Sequence, residues 1–143
     1  MKKVILLFAI IIFSSSQISA QAWDGIGARN LSAGVEFYGY GTGAVVNFDY
    51  GLLEDVSVGA GMNYSFDASN LYVNARADYH FQRLLKLPSV FDIYGGLDVG
   101  YNTNFDPNVR FGVRAGARYM IFETVGLYLE VGSRGNVGMV FNI

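Results

Sequence analysis

Hydrophobic and polar residues alternate along most of the chain after residue 30. Eight segments show this period of two, and short clusters of Gly, Asn, Asp and Pro separate them at hairpin spacing. In the third segment, one face carries Val56, Val58, Ala60, Met62 and Tyr64. The pattern predicts eight strands of an antiparallel meander, over residues 31–38, 43–50, 55–65, 71–81, 91–102, 109–121, 125–132 and 136–143.

Charged residues within these segments all fall on one face. The apolar faces carry no charge, while the opposite faces carry ten acidic or basic residues and the single histidine of the chain. These residues are Glu36, Asp49, Arg76, Asp78, His80, Asp92, Asp98, Arg110, Arg114, Arg118 and Glu130. Each strand therefore separates two environments, but alternation alone does not say which of them lies inside.

Three features favour a barrel with polar residues inside and lipid outside. The polar faces are rich in Gly, which weakens a solvent-exposed strand but fits beside large residues in a narrow lumen. Aromatic residues gather near both ends of the apolar faces, at the heights of the two bilayer interfaces. An even number of strands also returns both chain ends to one side. We therefore predict an all-β fold, an eight-stranded antiparallel up-and-down transmembrane β-barrel over residues 31–143.

The first twenty residues have the three regions of a secretory signal peptide. Lys2 and Lys3 precede an apolar run over residues 4–13, and a polar stretch then ends at Ala20. This run is too short for a transmembrane helix, which needs about 20 residues. Cleavage after Ala20 is predicted, with cleavage after Ala22 as the alternative. Residues 21–30 then form a periplasmic N-terminal segment, which Trp23 anchors at the membrane interface.

The composition of the chain excludes several classes of binding site. The chain has 143 residues, is 52% hydrophobic and only 15% charged, and has no cysteine. Disulfides, thiolate metal sites and multi-histidine zinc sites are excluded, so neither a metal nor a cofactor is expected. A formal net charge of −2 offers no basic surface for nucleic acid. Together with the signal peptide, the apolar strand faces indicate the bacterial outer membrane, with its lipid as a partner.

The mature chain resembles the small eight-stranded outer-membrane barrels of the OmpA and OmpX type. It is most similar to a family of uncharacterised function whose mature chains begin Gln-Ala-Trp followed by glycines, here residues 21–27. The last segment resembles the assembly signal of such barrels, carried by Asn136, Gly138, Phe141 and Ile143. Many family members end in Phe, whereas this chain ends in Ile143. The resemblance implies that the barrel-assembly machinery is a partner.

The inward charges predict a ladder of ion pairs across neighbouring strands. Counting back from the hairpins places Asp98 level with Arg114, and Arg118 level with Glu130, while Arg76 lies one strand from Asp98. Because a lumen of eight strands is filled by side chains, a general diffusion pore is excluded. A charge-paired network that rigidifies the barrel is expected, and a gated ion path through it is the alternative.

Two further groups of residues have a candidate chemistry. His80 is expected to lie level with Asp92 near the periplasmic end, but no serine is predicted beside it, so a structural role is preferred to lipid hydrolysis. The predicted outer loops are short, which gives little support to a specific surface ligand. Their oxygen-bearing residues are interpreted as turn formers rather than calcium ligands; they are Asp67, Asn70, Asn104, Asp106 and Asn108.

These observations predict a monomeric outer-membrane barrel with a plugged lumen, a structural or unknown role and no enzymatic activity. Three alternatives stay open. One is a secreted, soluble, lipocalin-like barrel that binds a ligand with its apolar face inside. The second is a narrow ion channel, and the third is an outer-membrane enzyme that modifies lipid. The direction of the charged side chains distinguishes the soluble barrel from a membrane barrel.

Overall fold

A computed structural model describes Lys3 and residues 21–39, 41–106 and 108–143. The predicted signal peptide, apart from Lys3, lies outside this part. Among the described residues, no helix is long and apolar enough to cross a membrane. The strands are β1 (Arg29–Tyr38), β2 (Gly43–Leu53), β3 (Val56–Ser65), β4 (Asn70–His80), β5 (Phe91–Asn102), β6 (Val109–Met120), β7 (Val125–Gly132) and β8 (Gly135–Asn142).

The eight strands form one closed antiparallel barrel in sequence order, which confirms the predicted fold. Strands β5 and β7 have the predicted bounds, and the largest difference is at the end of β2, which continues to Leu53. Closure is made by β1 and β8, which pair from Asn30 opposite Asn142 to Tyr38 opposite Gly135. Because every strand has two neighbours, no edge is left open for pairing with another chain.

The two ends of the barrel differ in the connections they carry. We call one the tail end, because residues 21–28, named here the tail segment, lie there. It also holds the connections β2–β3, β4–β5 and β6–β7, over residues 54–55, 81–90 and 121–124. The other end, the loop end, holds the connections over residues 39–42, 66–69, 103–108 and 133–134.

Polar side chains line the inside of the barrel and apolar side chains cover its outside. Asp49, Asp92 and His80 have no exposed surface, whereas Leu97 is 63% exposed and Phe111 83% exposed. Alternation along each strand produces this arrangement, because successive side chains point to opposite faces. The usual distribution of a water-soluble domain, with apolar residues inside, is thereby inverted.

Glycine makes room inside this narrow barrel at specific places. Gly34 and Gly138 face each other across the β1–β8 seam, and a Cβ atom at Gly34 would lie 2.2 Å from the carbonyl oxygen of Val137. On β6, a Cβ atom at Gly116 would lie 2.4 Å from the ring of Tyr94. Glycine thus allows two backbones to approach closely at the seam, and at Gly116 it leaves space that the large inward ring of Tyr94 occupies.

Candidate functional site: the polar lumen

Arg76 lies at the centre of the lumen and joins strands that are not neighbours. Its guanidinium lies 3.0 Å from Asp49 on β2 and 2.5 Å from Glu130 on β7, and 3.5 Å from Asp78 on its own strand β4. These side chains are almost completely buried. Ion pairs inside a low-dielectric interior attract strongly, but both charges must be desolvated, so geometry decides their net effect.

Two further arginines from β6 extend the network. Arg114 lies 2.9 Å from Asp78 and 2.9 Å from Asp98, on β4 and β5. Arg118 lies 2.7 Å from Asp49 on β2 and stacks over the ring of Tyr94, with its guanidinium carbon 4.6 Å from the ring centroid. The lumen is therefore crossed by cationic side chains that pair with carboxylates of other strands.

Two of the predicted arginines have other partners than the sequence predicts. Arg118 stands opposite Tyr128 in the β6–β7 register, two residues away from Glu130, and it pairs with Asp49 instead. Arg76 does stand opposite Asp98, but its guanidinium extends across the lumen to β2 and β7. The reason is geometric: in a narrow barrel, a long arginine side chain reaches facing strands as easily as adjacent ones.

At the loop end, Arg134 enters the network although the sequence analysis did not include it. Its guanidinium lies 2.9 Å from Asp98 and 3.8 Å from Glu36, and it stacks over Tyr72 at 4.3 Å. Burial lowers the pKa of Arg134, but the Asp98 carboxylate more than compensates and raises it above its usual value. The one feature of the sequence that could have indicated this role is the position of Arg134 in a very short hairpin. The turn of this hairpin directs the side chain back over the barrel mouth.

At the tail end, His80 is held between two side chains. Its Nδ1 lies 2.6 Å from Asp92 Oδ2, and its Nε2 lies 2.9 Å from Ser57 Oγ. The expectation that no serine stands beside His80 is therefore wrong: the register places β3 next to β4, and both side chains point inward. A Ser–His–Asp relay of this kind activates a nucleophile when a substrate reaches the serine, but Ser57 has no exposed surface.

Trp23 covers the face of the His80 ring. Its indole stacks on the His80 ring, with the centroids 3.6 Å apart and the planes 2° from parallel, and its Nε1 donates a hydrogen bond to the carbonyl oxygen of Glu54. Only 3% of Trp23 is exposed. The predicted position of Trp23 at the membrane interface is therefore wrong, because the tail segment turns over the barrel mouth and carries the indole inside.

The remaining predicted residues are Arg110 and the four residues of the predicted assembly signal on β8 and at the chain end. Arg110 is half-buried, and its guanidinium carbon lies 5.9 Å from the ring centroid of Phe105. On β8, Asn136 points inward and Gly138 faces Gly34 across the seam. Phe141 stands opposite Leu31, and the backbone N–H of Ile143 donates to the carbonyl oxygen of Arg29.

The loop-end oxygens act as hydrogen-bond partners of the loops. Asp67 Oδ2 accepts from the backbone N–H of Thr42, and Asn70 Oδ1 accepts from that of Asn104. Over residues 21–39, 41–106 and 108–143, no group of three or more acidic or histidine side chains has an arrangement that could hold a metal ion. These oxygens therefore stabilise turns in the described structure.

Comparisons with known proteins show the fold. No protein family and no curated protein matches this chain. A solved structure described as "De novo design of transmembrane beta-barrels" is similar, with a TM-score of 0.73 and 15% sequence identity. The match covers 85% of this chain and 99% of that chain.

Proposed function

We propose that this protein is an integral barrel of the bacterial outer membrane, monomeric and without enzymatic activity, whose lumen is filled by paired charges. Its role is structural: it forms a rigid, closed element in the membrane. The observation that carries this proposal is the inverted polarity of the barrel, with large apolar side chains exposed outside and buried charges inside. Removal of the signal peptide and delivery to the barrel-assembly machinery through the β8 sequence complete the proposal.

The outer surface supports embedding in lipid. Exposed apolar residues lie on different sides of the barrel wall, for example Val46 on β2, Leu97 on β5, Phe111 on β6 and Met139 on β8. Burying apolar surface is favourable by about 25 cal/mol per Å², so a continuous apolar wall in water would favour aggregation. A lipid bilayer covers such a wall with little desolvation of charge, because the one charged outward residue of the described strands, Arg29, stands at the very start of β1 at the tail end.

The inside of the barrel supports the structural role. A soluble, lipocalin-like carrier needs an apolar lining for its ligand, whereas this lining includes buried Asp, Glu and Arg side chains. An enzyme that uses the relay of Ser57, His80 and Asp92 would need an open path to the serine, whereas Ser57 has no exposed surface and Trp23 covers the ring of His80. Side chains that bond across the lumen stiffen the wall from within.

Substitution of arginine for leucine on the outer surface tests the membrane embedding. Leu97, at mid-strand on β5, is 63% exposed, and Leu84, in the β4–β5 connection, is 64% exposed. In a bilayer, Leu97→Arg should destabilise the barrel by about 2–4 kcal/mol, whereas Leu84→Arg, beyond the end of the strands, should cost at most about 1 kcal/mol. Urea unfolding in phosphatidylcholine vesicles measures both.

The two leucines form a matched pair, because their residue type and exposure are nearly the same. A soluble protein would tolerate both arginines to a similar extent, since each would lie in water. Equal unfolding free energies for the two variants would therefore contradict the proposal. Recovery of the unaltered protein from cells in the soluble fraction, without detergent, would contradict it as well.

A further inference from the structure

The tail segment is attached to the barrel mouth at several separate points. Hydrogen bonds join it to β8, to two connections and to β2. They run from Asn142 Nδ2 to the carbonyl oxygen of Gln21 (2.7 Å), from Ala22 N to Ser89 O (2.7 Å), from Trp23 Nε1 to Glu54 O (2.7 Å) and from Gly27 N to Gly51 O (2.8 Å). The segment thus crosses the mouth from one side of the barrel to another.

Trp23 is the only large ring that the tail segment places against the lumen. The ring of His80 receives it face to face, and Asp92 and Ser57 hold that ring in orientation through both nitrogens. The Glu54 carbonyl accepts the indole N–H at the edge of the same space. His80 and Glu54 therefore define a socket for an indole, which combines a planar face with one hydrogen-bond acceptor.

The tail segment is attached less strongly than the strands. The ladder between β1 and β2 begins at Arg29, so departure of residues 21–28 breaks the two hydrogen bonds that Gly51 makes with them but leaves the ladders that close the barrel intact. Gly25 and Gly27 have φ angles of 78° and 81°, a conformation that allows the chain to turn sharply between the socket and β1. Terminal segments outside the strand ladders open locally at a lower free energy than the whole fold.

We propose that the tail segment is a displaceable plug: Trp23 occupies an indole socket over His80, and its departure opens the tail end of the lumen to small solutes. The socket is a binding site for a planar aromatic ring with an N–H donor, and its resident occupant is a side chain of the same chain. Arg76 and Arg114 lie further from this end than His80 and Asp92, and their ion pairs keep the centre of the lumen closed when the plug leaves. The inference therefore stands independently of the surrounding lipid.

The absence of cysteine from the chain allows a clean accessibility test. Ser57 and Ser65 both lie on β3, both point inward and both are buried, but Ser57 lies beneath the plug and Ser65 lies near the loop end. Single Ser57→Cys and Ser65→Cys variants of the full chain are folded in detergent. Their labelling by methanethiosulfonate ethylammonium is then timed, with Trp23 present or replaced by Ala.

Trp23→Ala should raise the labelling rate of the Ser57→Cys protein by about tenfold or more, because one ring stack and one hydrogen bond are lost. The Ser65→Cys protein should keep its slow rate. Trp23→Phe, which keeps a stacking ring but loses the indole N–H, should give an intermediate rate at the Ser57 position. If Trp23→Ala prevents folding, this second variant carries the same comparison.

Added free indole provides an independent check of the socket. It should slow labelling of the Trp23→Ala, Ser57→Cys protein and leave the protein that retains Trp23 unaffected, because the socket is then already filled. An unchanged rate at the Ser57 position after removal of Trp23 would overturn the plug. Equal acceleration at both reporter positions would also overturn it, since the whole barrel, rather than its tail end, would then have opened.

Discussion

The buried position of Arg76 leads to a quantitative prediction for Arg76→Met. Methionine retains much of the side-chain volume but removes the charge that faces Asp49, Asp78 and Glu130. Asp49 keeps Arg118 at 2.7 Å, and Asp78 keeps Arg114 at 2.9 Å. The cost of the substitution therefore falls mainly on Glu130.

Glu130 would remain buried with only neutral contacts at hydrogen-bond distance. Tyr94 donates to Glu130 Oε1 at 2.9 Å, and Asn136 donates to its Oε2 at 3.4 Å. Removing one member of a buried ion pair typically costs about 3–5 kcal/mol, because the remaining charge is desolvated without compensation. Arg76→Met should therefore lower the free energy of unfolding by this amount at neutral pH.

Urea titration in detergent, followed by circular dichroism, measures the loss. Arg83→Met is the matched control, because Arg83 also contacts two carboxylates, Glu54 at 3.3 Å and Asp55 at 3.2 Å, but has 61% of its side chain exposed. Exposed pairs of this kind contribute about 0–1 kcal/mol. The double variant Arg76→Met, Glu130→Gln should regain part of the loss, since no unpaired charge remains at that position. A loss for Arg76→Met no larger than that for Arg83→Met would refute the reasoning.

Three other outcomes follow from the structure. Gly116→Val should destabilise the barrel by about 1–3 kcal/mol in the same titration, because its Cβ would meet the Tyr94 ring at 2.4 Å; an unchanged midpoint would mean that the ring has room to move. Mass spectrometry of the mature protein should find Gln21 at its amino terminus, and a chain beginning at Trp23 would show that the bonds of residues 21 and 22 are dispensable. Planar-bilayer recordings of the unaltered protein should show no conductance, whereas stable open events would favour the ion-channel alternative.

The register of the strands shows how precisely counting along the sequence places a side chain along the barrel. Asp98 stands opposite Gly112 and Arg114 opposite Gly96, so their predicted common level is wrong by two residues, although the two side chains still meet at 2.9 Å. The predicted level of Arg118 with Glu130 is wrong by the same two residues, and here the error gives Arg118 the wrong partner. A period of two assigns a side chain to a face regardless of such an error, but it does not set the height of the side chain along the barrel.

Alternation along the strands could not predict the positions of the tail segment and of Arg134 at the loop end. Trp23 and Arg134 lie outside the strands, so no alternation indicates where their side chains point. Both enter the lumen from opposite mouths and meet residues that are distant in sequence, His80 and Asp98. Contacts of this kind depend on the closure of the barrel and on the path of short irregular segments.

The sequence by itself determined the number of strands, their order and the two faces of each, because a strand repeats every two residues and a hairpin needs only a short polar turn. Only the tertiary structure decided the partners within the lumen and the place of Trp23. Closing eight strands into a narrow barrel brings β2, β4, β6 and β7 within reach of one another, so Arg76 and Arg118 bond across the interior rather than along the sheet. The same closure creates a mouth wide enough for one indole, which the chain fills with its own tail segment.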